Sequence, residues 1–196
     1  MKSVYNFVVE PIGERYNNKK KVGDQELILN TEIYNHQFTN RLAKVISTPI
    51  IGNTIIKPGD EVIIHHKVFR RWHNVKGIEK NSRSYFNDNA YLVNNDQIFL
   101  YKRDGSWKCP KGYCFVKPLL RKDIFNIEHE HPSMGIVKYS DKTVNVGDLI
   151  GFNPISTYEF IIDGEKLYRV LSSLITIKYE HQGDEEVYNP SWAQSS

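Results

Sequence analysis

The sequence predicts an all-β chain built from two copies of one small module. Three observations carry that prediction. Twelve Tyr, nine Phe and three Trp stand among 196 residues, with many Val and Ile, a composition that favours strands. No segment of eleven or more residues shows a helical apolar stripe. The second half also repeats the punctuation of the first. Pro58-Gly59-Asp60 precedes Val62-Ile63-Ile64, as Val146-Gly147-Asp148 precedes Leu149-Ile150. Repeated order of this kind marks a duplicated unit.

In copy one, Val4 to Pro11 alternates apolar and polar residues and reads as a strand ending in Val8-Val9-Glu10-Pro11. Arg15 to Asp24 is polar and Lys-rich and reads as a loop. Leu27-Ile28-Leu29 follows as a compact aliphatic triplet, and Leu42 to Ile46 as a strand. The Gly-Asp turn comes next: Gly permits a positive φ, and the Asp carboxylate can accept a backbone N–H. Glu61 to Val68 reads as a strand, Arg70 to Asn89 as a protruding loop or ribbon, and Ala90 to Lys102 as two short strands.

The segment from Asp104-Gly105 to Lys111-Gly112 concentrates Gly, Pro and Lys and is the expected boundary. The predicted units are 1–107, 108–180 and a polar C-terminal tail, 181–196, expected to be mobile unless Trp192 docks. Copy two runs through Phe115-Val116-Lys117-Pro118, Met134 to Tyr139, Leu149-Ile150 and Tyr158 to Ile162. Asp163-Gly164 predicts a two-residue hairpin turn. Lys166 to Val170 and Leu174 to Tyr179 complete the module.

The copies differ in their loops. Pro11 to Gly59 spans 48 positions and Pro118 to Gly147 only 29; Gly59 to Tyr91 spans 32 and Gly147 to Tyr168 only 21. Both enlargements lie in copy one, and long loops in compact domains tend to carry function.

Met134-Gly135-Ile136-Val137, Val144 through Phe152, and Phe160 through Val170 together resemble GroES-like co-chaperonins. In that family a strand precedes a Val-Gly-Asp turn, an acidic hairpin leads to a Tyr-x-x-Val strand, and a short strand closes the chain, here Leu174-Ile175-Thr176-Ile177. Copy one matches more loosely through Pro58 to Ile64 and Tyr91-Leu92-Val93. The resemblance implies two tandem, small, irregular antiparallel β-barrels. It also implies a non-enzymatic protein that self-associates and caps a chaperonin ring through a loop after the first strand. The matching loop is Arg15 to Asn40, and Leu27, Ile28 and Leu29 are the matching anchor. An aliphatic triplet in an ordinary buried strand is the other reading of the same residues. Copy two has only Leu119 to Ser133 there, with Leu119-Leu120 and Ile124-Phe125 as poor substitutes.

Other constellations argue less. Arg70, Arg71 and Trp72 form a secondary loop candidate, since cations beside an aromatic suit phosphate contact and base stacking. The net charge of only +3 argues against a nucleic-acid partner. Cys109, Cys114, His129 and His131 supply zinc-ligand types at an unusual spacing, and adjacent strand residues His65 and His66 point to opposite faces, so no metal or other cofactor is expected. No phosphate loop, dinucleotide fingerprint or HExxH motif appears. No apolar run reaches the ~18 residues of a membrane helix, and Met1-Lys2-Ser3 leads straight into a strand-like segment, so a cytoplasmic location, or a particle assembled there, is expected. The rival reading is a structural protein, such as a virus particle component, that reuses the barrel for assembly.

Overall fold

The computed structural model describes residues 2–15, 19–28, 39–125, 127–180, 183 and 185–194, with residues 19–21, 26 and 28 by backbone alone. Strand accounts for 50% of the chain and helix for 6%, and the sheets are antiparallel, which makes the protein all-β. The chain divides between Ser106 and Trp107 into two compact units.

The first unit contains β1 (Phe7–Pro11), β2 (Lys19–Val22), β3 (Gln25–Ile28), β4 (Leu42–Ser47), β5 (Glu61–Ile64), β6 (Arg71–His73), β7 (Glu79–Asn81), β8 (Tyr85–Asn87), β9 (Ala90–Val93) and β10 (Ile98–Arg103). Strand β11 (Ser106–Lys108) lies where one unit passes into the next. The second unit contains β12 (Tyr113–Lys122), β13 (Glu128–Ser140), β14 (Leu149–Phe152), β15 (Tyr158–Ile162), β16 (Glu165–Leu171), β17 (Ile175–Tyr179) and a single helical turn, α1 (Ser191–Gln194).

Six strands of the first unit lie in the order β10-β5-β4-β1-β9-β8, and six of the second in the order β17-β14-β13-β12-β16-β15. The two orders are one topology. The correspondence extends to register: Val9 faces Val45 and Tyr91 in one unit, and Val116 faces Val137 and Tyr168 in the other. Even the irregularity is duplicated, since β1 bulges between Val8 and Val9 and β12 between Phe115 and Val116. No sheet closes on itself among the described residues.

The Gly-Asp turns superpose hydrogen bond by hydrogen bond. Val45 N–H donates to Asp60 O at 2.9 Å and Gly59 N–H to Val45 O at 2.8 Å; Val137 to Asp148 O and Gly147 to Val137 O repeat both distances. Asp60 Oδ2 accepts from Lys57 N–H, and Asp148 Oδ2 from Asn145 N–H. Gly59 and Gly147 hold φ of +92° and +91°, a region that costs a side-chain-bearing residue about 1–2 kcal/mol.

The cores sit at equivalent positions. Phe7, Val9, Val45, Val62, Ile64, Val93 and Ile98 cluster in unit one. Cys114, Val116, Val137, Ile150, Phe152 and Val170 cluster in unit two, with Ile175 packed against them. Unit one also buries Val68 and Phe69, from the start of its longer second excursion, with Phe69 edge-on to Tyr91 at 4.7 Å. Arg70 to Asn89 is thus a ribbon after a buried root: β6 pairs with β7, and β8 joins the sheet beside β9.

Two expectations change. Lys19 to Asp24 is not a loop: with Gln25 to Ile28 it makes a hairpin, β2–β3, closed by Gly23-Asp24 with Val22 opposite Gln25. The C-terminal segment does not run free of unit two. Leu120 N–H donates to Glu186 O at 2.7 Å and Tyr188 N–H to Pro118 O at 2.8 Å, so the tail lies against β12. Ala193 in α1 is fully buried.

Candidate docking site

Both units carry their excursion at the same point, after the Pro that ends register with Ala43 or Gly135. In unit one the neck is clamped. Asn40 N–H donates to Arg15 O at 2.9 Å, and the Asn40 amide donates to Ile12 O while accepting from Leu42 N–H. Beyond this neck the β2–β3 hairpin exposes Val22 (57%) and Leu27 (54%). The backbone of Ile28 ends β3, and Leu29 lies outside the described residues.

Arg15 does more than close the neck. Its guanidinium donates to Phe69 O and, at 2.9 Å, to Asn81 Oδ1, and it lies 5.4 Å from the Tyr91 ring centre. The two enlarged excursions of copy one therefore spring from adjacent points, tied by one residue. The secondary candidates belong to the second of them. Arg70 sits over the Trp72 ring at 5.9 Å, and Arg71 pairs with Glu79 at 3.5 Å across the β6–β7 hairpin.

In unit two the corresponding excursion is a continuation of β12 and β13 beyond a register shift between Pro118 and Leu120, with Leu120 opposite Glu130 and Lys122 opposite Glu128. Its tip displays Ile124 (91% exposed), Phe125 (76%) and Ile127 (53%). Asp123 supports this display through hydrogen bonds. Asp123 Oδ1 accepts from Phe125 N–H at 2.8 Å and Ile127 N–H at 2.9 Å, and Asp123 N–H donates to Ile127 O. The Ile127 N–H bond, with help from Phe125 and His129, holds the Asp123 carboxyl below its usual range. Sequence reasoning passed over this doublet in favour of Leu27 to Leu29. The available signal was an Asp directly before two large apolar residues in a polar stretch, the mark of an Asx-type turn with an apolar crown.

The thiols and imidazoles do not converge. Cys109 and Cys114 are free and buried; burial pushes the Cys114 thiol up to about 12 and raises Cys109 further. His129 is exposed and lies 3.4 Å from Asp123 Oδ2. His65 and His66 do not point to opposite faces as expected, because β5 ends at Ile64 and both lie beyond it, and their rings sit tilted against each other with centres 4.3 Å apart. Among the described residues, no group of three or more His, Cys, Asp or Glu side chains gathers in metal-binding geometry.

Unit two also holds a buried cation. Lys166 Nζ lies 2.7 Å from Glu130 Oε2 and 3.1 Å from Glu159 Oε2, amid the rings of Tyr168, Tyr188 and Trp192 at 5.3–5.6 Å. Desolvation pulls its pKa down, but the Glu130 and Tyr168 hydrogen bonds outweigh it, and the net shift is upward. Two of those rings belong to the tail. Asn189 adds a clasp, accepting from Lys166 N–H and donating to Gly164 O.

Compared with known proteins, the chain matches no family model, no curated protein and no solved structure. No helix among the described residues is long and apolar enough to cross a membrane.

Proposed function

We propose that the chain is a non-enzymatic docking protein of the co-chaperonin kind, in which two repeated β units present apolar anchors to the ring of a chaperonin. The observation that carries this reading is the pair of excursions at one point of a shared register, each exposing aliphatic side chains. In this reading each six-stranded sheet curls into an irregular barrel of the GroES-like type, and the chain self-associates so that several anchors act together. Burying one large apolar side chain contributes roughly 1.5–3 kcal/mol, so a single anchor binds weakly and a set of them firmly. The preformed tip at Ile124 and Phe125 carries little ordering cost, which strengthens its share.

The test mixes purified protein with a chaperonin ring and ATP and follows co-sedimentation. Serine at Leu27, Ile28 and Leu29, and separately at Ile124 and Phe125, should each weaken capture. Capture absent in the wild type, or unchanged in both variants, refutes the reading.

A structural role in an assembled particle is the second reading. Ile50, Ile51 and Ile55, all more than half exposed within six residues, favour it, because such a patch suits a subunit interface. Recovery of the chain from purified particles, without chaperonin binding, would decide for it.

A further inference from the structure

The near neutrality of the chain conceals a local concentration of charge. Residues 67–83 hold six Lys and Arg against one Glu, while the remaining 179 residues hold twenty basic and twenty-two acidic side chains. The whole excess of positive charge, and more, therefore resides in one stretch of unit one, residues 67–83. A near-neutral chain thus presents a strongly basic surface in one place, which is where an anionic polymer would meet it.

The structure organises this stretch as a hairpin that is stiff at both ends. At the base, Arg15 holds Phe69 O and Asn81 Oδ1, and Ser82 N–H donates to Arg70 O at 3.1 Å. At the tip, Asn74 Oδ1 accepts from Lys76 N–H and Ile78 N–H, both at 3.0 Å. Between them Trp72 stands opposite Lys80, so ring and ammonium share one face of the ribbon. Lys67, Lys76, Lys80 and Arg83 are all exposed. Glu79 answers only Arg71, which leaves a net surplus of five charges along the ribbon.

We propose that the β6–β7 hairpin, with Lys67, Arg70, Trp72, Lys76, Lys80 and Arg83, binds the phosphate backbone of nucleic acid without sequence preference. Cations spaced along a stiff ribbon engage successive phosphates and release their counterions, and an aromatic among them offers a face to a base. An anionic membrane is the weaker match. Only Val75 and Ile78 are exposed apolar side chains at the tip, too little area for an inserted wedge. The proposal is independent of chaperonin docking and uses different residues.

The experiment measures fluorescence anisotropy of a labelled oligothymidylate of about 20 nucleotides, and of a duplex of equal length, over a salt series. With about five phosphates engaged, affinity for duplex should fall roughly 500-fold between ~50 and ~200 mM salt. Replacing Lys76, Lys80 and Arg83 together by Ser should flatten the logarithmic salt slope by about 2–3. Lys76→Arg with Lys80→Arg should retain binding, and chaperonin capture should be untouched in every variant. The proposal is overturned if neither probe binds at low salt, if the triple Ser variant binds as wild type while melting as wild type, or if anionic vesicles compete away the oligonucleotide at equal phosphate.

Discussion

Replacing Lys166 by Met should loosen the C-terminal segment and destabilise unit two. The Lys166 side chain is 7% exposed, whereas its partners Glu130 and Glu159 are 34% and 22% exposed. Breaking a fully buried ion pair from one side costs about 3–5 kcal/mol, because a charge is stranded out of water. Here the stranded carboxylates keep some solvent, although Glu130 Oε2 itself is shielded from it. That screening lowers the expected cost to about 2–3 kcal/mol, including the three ring contacts. For a unit of this size the melting midpoint should drop by roughly 10–20 °C. Calorimetry reads the midpoint, and hydrogen exchange reads the strap: the amides of Leu120 and Tyr188, which bond to Glu186 O and Pro118 O, should lose protection. Combining Lys166→Met with Glu130→Gln and Glu159→Gln should recover at least half of the loss, since no charge is then stranded. A midpoint within ~2 °C of wild type, with both amides still protected, would refute the reasoning.

Three further outcomes follow from the duplication and the cores. Asp60→Ala should cost about 2–4 kcal/mol and Asp148→Ala about 1 kcal/mol in denaturant titrations, although the two sit at matching turns. Asp60 is buried and bonded by Arg103 at two points, while Asp148 meets the exposed Lys178. Burial pushes the Asp60 carboxyl up, but Arg103 and the Lys57 N–H outweigh it and hold it below the ordinary range. Its contribution is therefore complete above about pH 4 and disappears as pH falls through the depressed value, so the difference between Asp60→Ala and wild type should shrink in acid. Cys109 and Cys114 should resist maleimide in the native protein at pH 8 and react once it is unfolded, because burial holds both thiols protonated. Mass spectrometry after a timed pulse would show this, and rapid native labelling would contradict it. Gly135→Ala should lower the midpoint of unit two, since a Cβ there would lie 2.6 Å from Lys117 O. Ala43 fills the matching place in unit one without exposure, so Ala43→Gly should cost about 1 kcal/mol and relieve nothing.

The duplication was legible because its signals are local. A Gly that needs positive φ, an Asp three residues after the N–H it accepts, and an Asp163-Gly164 turn with both φ positive leave their marks at fixed offsets. What stayed hidden was non-local. Lys19 to Val22 read as loop because charged residues tolerate a two-stranded ribbon without an apolar face, and only pairing with β3 defines it. The tail read as mobile unless Trp192 docks, because its hold on unit two comes from Lys166, Asn189 and Trp192, which are scattered in sequence. At the candidate site, position was legible and content was not. The excursions were located by counting residues between turns. The exposure of Ile124 and Phe125, and the Arg15 tie between the two enlarged excursions, depend on contacts that no window of sequence contains.

A chain that repeats its register also repeats its opportunities for strand exchange. Phe7-Val8-Val9-Glu10-Pro11 and Cys114-Phe115-Val116-Lys117-Pro118 share length, bulge and partners, so each could seat itself in the other's sheet during refolding, a hazard typical of tandem repeats. Two positions work against the exchange. Lys117 Nζ meets Glu165 Oε1 at 2.6 Å, and Lys138 holds the other carboxylate oxygen at 2.9 Å. The first strand would bring Glu10 to that place and set two carboxylates side by side. In the reverse exchange Cys114 would replace Phe7 in the first core and leave a void where a ring belongs. The divergence of the two copies inside their shared framework thus acts as a sorting code, steering each strand back to its own half of the molecule.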